Sequence, residues 1–560
     1  MGMAKAPGYT KFSRNGLLRG IPRYYTYLGS LMLLGGAASP KPAWALNLYN
    51  GSFEDQTLTI NLETTVEYSN IYRVNDPSAI LAGPDNANGN DGDSNFRHGF
   101  VDNTFDVLPV FDLKYGDAGV HVSGEAYLDT PYLDKNQNDQ PGTLNPYTVA
   151  SNKDFTSATR NINGQNAVLL DAFAYDSVRF GADENQDITV KFGRQTLLWG
   201  QSLFFTSSGI AAGQAPVDII KAQSLPNPQA QQVFLPVGQA VLTYQPNQIL
   251  TFQGYYQFEW EPDTFQGSGA YFNSGDFLDK GGQRLILGPG AYAYRGKDNR
   301  PTHNGQFGAS IQATLGNYDL GVYALRFDSK APEIYLGLPQ ANQPGSAGTY
   351  TLVYPRDIAI YGTSLSTTVG PANVGGEISG RTNMPLDSGI GLLYNPLTLA
   401  PVTGNANSHP LYAVGDTFDA QASAIYVSPG IPGDPGGVSV DGEAAVEHVL
   451  SVTRNKAALT PGRDSTAGKF EIVLSPTYYE VLPSLELQFP IGITYNLFGR
   501  SQIDSSMNHG TGTFSVGVTG TYDTTWIAGL TYQDYLGAPN TVLNADADRG
   551  YISFNVQHTF

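Results

Sequence analysis

The sequence predicts an all-β protein, a single closed antiparallel transmembrane β-barrel of about 18 strands, and three observations carry that reading. The chain stops on an alternating strand whose last residue is aromatic. Past its first 45 residues no apolar run is long enough for a membrane-spanning helix. From Leu58 onward, the links between alternating segments switch between short and long without exception.

The terminal segment Tyr551-Ile-Ser-Phe-Asn-Val-Gln-His-Thr-Phe560 places Ile552, Phe554, Val556 and Phe560 in alternation with Ser553, Asn555, Gln557 and Thr559. A period of two puts one row of side chains against lipid or core and the other against water. Ending on Phe560, this segment resembles the closing strand of Gram-negative outer-membrane barrels. That resemblance implies Phe560 as the residue read by the barrel-assembly machinery. At the other end, Lys5, Lys11, Arg14, Arg19 and Arg23 precede an apolar stretch from Tyr27 to Ala38 and an Ala43-Trp44-Ala45 site. This is the pattern of a secretory signal peptide, residues 1–45, cleaved after Ala45. The apolar run falls well short of the roughly 20 residues a spanning helix needs. A membrane location for the remainder, 46–560, then requires a closed barrel, the other structure that satisfies every backbone group in lipid.

Composition narrows the function. Without the leader, Lys+Arg falls from 31 to 25 against 50 Asp+Glu, a charge of about −25, which excludes a general nucleic-acid binder. With 0 Cys, disulfides and thiolate metal sites are excluded. The 64 Gly and 34 Tyr suit strands and turns rather than a helical core.

Alternating segments include Leu58–Leu62, Val120–Ala126, Leu250–Trp260, Phe307–Leu315, Val440–Val446 and Phe514–Tyr522. Short links fall at Tyr115–Ala118, Gly181–Gln186, Gln245–Asn247, Gly316–Asn317, Gly370–Ala372, Ser428–Gly437, Glu480–Ser484 and Asp523–Thr524. Between them lie links rich in Gly, Pro, Asn and Asp: Arg73–Gly99, Asp129–Asn166, Gln195–Pro236, Glu261–Gly305, Asp328–Asp357, Arg381–Asp416, Ser451–Ala467, Phe498–Gly510 and Gln533–Arg549. Short periplasmic turns and long extracellular loops alternate in this way in outer-membrane barrels. A soluble sandwich has no reason to sort its loops so.

A barrel of this size encloses an aqueous channel unless a segment fills it. With Leu58, Ile60, Leu62, Val66 and Tyr68 toward lipid, alternation points Asn61, Glu63 and Glu67 inward. The same parity turns Glu125, Glu259, Glu377, Asp441, Glu443, Glu447, Glu486 and Gln488 inward, with Lys191 and Arg179 as the clearest inward cations. The expected lumen is net acidic and cation-favouring; ordinary polar lining of a pore is the alternative. The Gln195–Pro236 link contains Leu203, Phe204, Phe205, Ile210, Val217, Ile219, Ile220, Leu225, Val233, Phe234 and Leu235, too apolar to stay in water. It is expected to fold into the lumen, with Pro216–Lys221 as one helical turn, either as a constriction or as a structural latch.

Two segments, Asp85–Asp93 and Asp134–Asp139, alternate oxygen ligands as calcium loops do, with Asp85, Asp91 and Asp93 as candidate ligands. Neither has the closing Glu of an EF-hand, which favours solvated loops; bridging to lipopolysaccharide phosphates is the other reading. His121 and Glu125 share a strand face and offer a base pair for hydrolysis, against an ordinary pore-lining pair. Enzyme signatures are otherwise missing: Gly362–Ser366 and Gly437–Val440 each miss a nucleophile elbow by one Gly.

The stretches Gly193–Phe205, Tyr255–Trp260 and Ala270–Phe277 resemble the proteobacterial outer-membrane family of domain of unknown function 1302. The resemblance implies residence among outer-membrane lipid and lipopolysaccharide, and traffic of hydrophobic or amphiphilic molecules beside resistance-nodulation-division exporters and a periplasmic carrier. It implies no cofactor and no catalytic residue. The sequence thus points to a porin-like passive channel for a small organic solute. An extracellular-rim hydrolase and a structural or adhesive surface barrel are the alternatives.

Overall fold

The computed structural model describes residues 46–53, 56–181, 185–226, 228–278, 280–339, 343–428 and 437–560. The expected leader and its cleavage site at Ala45 lie outside the described residues. The main sheet closes into a ring of 18 antiparallel staves. In chain order they are Gln56–Arg73, Gly99–Tyr115, Ala118–Asp129, Gln165–Phe180, Gln186–Gln195, Val237–Gln245, Leu250–Gln257, Gln306–Leu315 and Tyr318–Phe327. The second half comprises Ile358–Val369, Ala372–Pro385, Val414–Val427, Val438–Arg454, Thr466–Leu482, Leu485–Phe498, Gly512–Tyr522, Trp526–Leu536 and Tyr551–Thr559. Among the described residues the short links join staves at one end and the long links at the other, as the sequence predicts; 182–184 and 429–436, within two of the expected short links, lie outside the described residues.

The ring closes where Tyr551–Thr559 pairs with Gln56–Arg73, from Thr65 opposite Thr559 to Arg73 opposite Tyr551. Phe560 completes the seam: its N–H donates to the Thr64 carbonyl at 3.1 Å, and Thr64 N–H donates back at 2.8 Å. On this stave Ile552 and Phe554 are 39% exposed on the outside, whereas Ser553 (3%) and Asn555 (4%) are buried inside. Apolar residues outside and polar residues inside are what a bilayer requires of a barrel. Phe180, Tyr244 and Phe252 stack along the outer face toward the short-turn end.

Three features were not expected. Leu46–Phe53 pairs with the start of Gln56–Arg73, taking the edge that the final strand does not reach. One stave is interrupted between Leu485–Gln488 and Ile491–Phe498, because Pro490 has no N–H for the ladder. A bulge sets both Leu170 and Asp171 against Ser123, so alternation reverses within Gln165–Phe180. Leu169 therefore points outward, while Phe173 and Tyr175 sit on the inward side.

The long links build a cap. Arg284–Gly288, Ala291–Arg295, Glu333–Gly337, Ser346–Val353 and Gly391–Leu392 form a second, five-stranded sheet. Trp260, Leu285, Ala293, Ile334, Leu336, Tyr350 and Leu352 pack at its core. Beside it Asp93 is ion-paired to Arg73 (2.9 Å) and Arg549 (3.4 Å), all with side chains out of contact with water. This ties a stave end to two loops, as buried charge requires.

Candidate functional site: a loop docked inside the barrel

The segment following Gln186–Gln195 turns inward and lies across the inner wall. Trp199 Nε1 donates to Gln253 Oε1 (2.7 Å) near its origin. The chain then reaches the far side, where the Glu443 carboxylate accepts the N–H groups of Leu203 (2.9 Å), Phe204 (2.5 Å) and Phe205 (2.7 Å). Glu377 accepts those of Gln201 (2.6 Å) and Ile210 (2.7 Å), and the Gln421 amide (2.8 Å). Arg381 donates to the carbonyls of Ser207 (3.2 Å) and Gly209 (3.1 Å) and pairs with Asp419 (3.2 Å). A Cβ at Gly200 or Gly209 would collide with the Glu377 carboxylate, so glycine permits this approach. Leu203, Phe204 and Phe205 pack with Ala445 and Val473, and the Lys469 ammonium lies 4.7 Å from the Phe205 ring centroid.

The second half docks on another part of the wall. The helix Ile219–Ser224, capped by Asp218 through the Lys221 N–H (3.0 Å), delivers Lys221 inward. Its ammonium meets Glu125 (2.8 Å) and Asp106 (3.3 Å) and lies 3.6 Å from the Tyr127 ring centroid. Gln232 adds a hydrogen bond to Glu125 (2.7 Å). Ile219, Ala222, Val233 and Phe234 form an apolar cluster behind this contact with Phe265 and Ala331. The helix begins at Ile219, so the expected turn at Pro216–Lys221 is displaced by a few residues toward the C-terminus.

Phe204, Phe205, Ile210, Ile219 and Ile220 are all buried by this docking. The carboxylates expected to line an acidic pore require a correction. Glu67, Glu125, Glu377, Glu443 and Glu447 face inward, as the alternation predicts, but all are buried. Glu125, Glu377 and Glu443 hold the loop directly, and Glu447 accepts the Asp504 N–H (3.2 Å) of another link. Inward cations accompany them: Lys221, Arg381 and Lys469, the last paired with Asp504 at 3.1 Å. These cations answer part of the acidic charge; Glu67 and Glu443 are met by hydrogen bonds instead, from the Asn555 amide (3.2 Å) and from the loop N–H groups, as buried polar groups require. Lys469 shares its strand parity with Glu471 and Val473, a signal readable in the sequence; Lys221 had none, since its direction depends on how the loop docks.

Glu63, Asp441 and Glu486 are half-buried below the loop, toward the short-turn end. Lys191 shares this level, its ammonium 5.4 Å from the Phe173 ring centroid. Glu259 departs from expectation: it lies past the end of its stave, paired with Arg194 at 2.5 Å. Arg179 sits at a short turn near Asp117 (3.8 Å) and Asp187 (3.9 Å). His121 and Glu125 form no pair, since His121 bonds Asp112 (2.6 Å) and Glu125 is committed to Lys221. The carboxylates considered for calcium diverge. Asp93 is held by two arginines, Asp91 accepts the Asn145 N–H (3.0 Å), and Asp85 stays at the surface. Among the described residues no three His, Asp or Glu side chains converge on a metal position. In the other segment Asp139 pairs with Arg97.

The model of the family described as "Protein of unknown function (DUF1302)" matches residues 26–560, nearly the whole chain. The chain belongs to that family. No curated protein matches this DUF1302 member. Solved structures with a similar course include Acinetobacter baumannii OccAB1, with 10% identity and a TM-score of 0.41 over 93% of this chain and 99% of that one. A BenF-like porin from Pseudomonas fluorescens Pf-5 has 9% identity and a TM-score of 0.41 over 91% and 99%. Pseudomonas aeruginosa OccK2 (OpdF) in complex with glucuronate has 9% identity and a TM-score of 0.37 over 90% and 97%. The fold assignment of the DUF1302 chain rests on its own strand order and closure.

Proposed function

We propose that this DUF1302 protein is an outer-membrane channel for passive passage of a small organic, hydrophobic or amphiphilic solute, narrowed by the Gln195–Pro236 loop. The observation that carries the reading is the docking of that loop inside the ring. An 18-stave barrel is wider than side chains alone can fill, and here a single apolar loop is clamped to opposite regions of its inner wall. A segment held in place by wall carboxylates sets a fixed aperture. The hydrolase reading loses its expected pair, since Glu125 is bound to Lys221. Exchange with an inner-membrane exporter and a periplasmic carrier fits the same traffic.

Purified barrel in a planar bilayer tests this. It should conduct, and deleting Leu203–Leu225 should raise the conductance while the protein keeps its heat-modifiable migration. Folded protein that passes no current would refute the channel. Unchanged conductance after the deletion would place the loop outside the path.

A further inference from the structure

The geometry points to a binding site for a carboxylate carried on an apolar body, on the inner wall just below the loop, with Lys191 as its cation. This assignment rests on the channel reading and names the class of solute for it. Most buried cations around the loop are matched by carboxylates: Lys221 by Glu125 and Asp106, Lys469 by Asp504, Arg381 by Asp419, and Arg73 and Arg549 by Asp93. Lys330 donates instead to the Gly213 carbonyl (2.9 Å), and Lys114, on the same inward row as Lys191, is exposed near the short turn. Lys191 is half-buried on the wall and has no carboxylate within ion-pair distance among the described residues; Asp171 acts on it only from further away. Its ammonium instead lies over the face of Phe173. A half-buried cation lacking an anionic partner favours an incoming anion, because pairing offsets desolvation already incurred.

The surroundings supply the apolar half. Tyr175 stands directly opposite Lys191 on one neighbouring stave, and buried Val241 stands opposite it on the other. The Tyr175 ring lies against the backbone of Gly119, where a Cβ would collide with it. Phe173 is stacked against His121, with ring centroids 5.2 Å apart, and His121 is anchored by Asp112 at 2.6 Å. Val241 also belongs to the apolar cluster that contains Trp199 of the loop. A solute whose carboxylate meets Lys191 can therefore lay its apolar part on Phe173 and Tyr175, at the foot of the loop. The bulge at Ser123 turns those two aromatic rings inward; without it they would face lipid.

The test uses 4-phenylbutyrate, with 4-phenylbutanol as its uncharged analogue, and the full-length processed barrel. Titration calorimetry should show Lys191→Met weakening 4-phenylbutyrate binding by about tenfold or more, as loss of a charge-assisted bond does. Lys191→Arg should restore most of the affinity, and 4-phenylbutanol should bind both variants alike. Heat-modifiable migration establishes that each variant has formed its barrel. Equal binding by wild type and Lys191→Met, or no binding by wild type that conducts, would overturn the site. Wild type that binds 4-phenylbutyrate in a Lys191-dependent way but passes no current would uphold the site and overturn the channel.

Discussion

Replacing Glu443 by alanine should loosen the loop at its far anchorage. In the wild type one carboxylate accepts three consecutive backbone N–H groups, from Leu203, Phe204 and Phe205, at 2.9, 2.5 and 2.7 Å. Truncation leaves three buried donors without their acceptor, and each unsatisfied donor costs roughly 1–3 kcal/mol. Water entering the vacated space recovers part of this, so the low end, about 3 kcal/mol, is the working figure. Each 1.4 kcal/mol is a tenfold change, so about 3 kcal/mol shifts the docked-to-released ratio by roughly a hundredfold. Glu377 still holds Gln201 and Ile210, so release should be intermittent. Single-channel recording should then show a higher mean conductance with flicker, and protease should cut within 196–236. Glu443→Gln should fall between, because an amide keeps one oxygen and turns an N–H toward other donors. Wild-type conductance and protease resistance in a folded Glu443→Ala barrel would refute the clamp.

Lys221→Met should destabilise the near anchorage by about 3–5 kcal/mol, since removing one partner leaves the buried Glu125 carboxylate without its cation. The heat-modification midpoint in detergent should fall, and an unchanged midpoint would contradict the pairing. Phe560→Asp should block assembly yet leave export intact, because it replaces the terminal aromatic ring with a charge while keeping the backbone seam to Thr64; normal heat-modifiable migration would remove the residue from the argument. The cap should depend on pH. Burial pushes Asp276 up to about 7 and Asp546 up to about 8, from an ordinary value of 3.8. Groups whose folded pKa is raised hold their protons longer in the folded state, so stability falls as pH rises from about 4 through 8. Amide protection in 267–278 and 537–550, taken relative to the intrinsic exchange rate at each pH, should be greater at pH 6 than at pH 8, and lower protection at pH 6 would reverse the sign.

Much of the wall was legible because a barrel writes its geometry in two local periods. Ile552 and Phe554 alternate with Ser553 and Asn555 whatever the rest of the chain does, and turn residues such as Gly316 and Gly370 take positive φ between staves. The direction of Glu377 and Glu443 followed from the same parity. Their role did not, because a carboxylate that lines water and one that clamps a loop have the same neighbours in sequence. The difference lies in Gln201 and Leu203, more than 170 residues away along the chain. The cap sheet was missed for a related reason: Glu333–Gly337 and Gly391–Leu392 are too short for alternation to stand out, and parallel pairing between them needs tertiary contact. At the Ser123 bulge one extra residue reverses which side chains face inward, a shift that alternation alone does not show.

The loop is held unevenly, and the place where it is held least indicates where a solute can pass. On the far wall the anchors are carboxylates receiving backbone N–H groups, bonds worth about 1.5–3 kcal/mol each. Near its origin, Trp199 is joined to the wall by a neutral side-chain bond to Gln253, in a class worth about 0.5–1.5 kcal/mol, and otherwise by apolar contact. An amphiphilic solute competes well with apolar contact but offers nothing to displace three N–H groups from Glu443. Passage should therefore run beside Trp199, where the loop yields at the lower cost, and not beneath Phe204 and Phe205. That edge descends to Val241, Tyr175 and Lys191, so the weakly held side of the loop opens toward the half-buried Lys191 ammonium. Trp199→Ala should accordingly raise the passage of 4-phenylbutyrate more than Phe204→Ala does, measured as flux into liposomes. Equal effects, or a larger one from Phe204→Ala, would place the path on the far side of the loop.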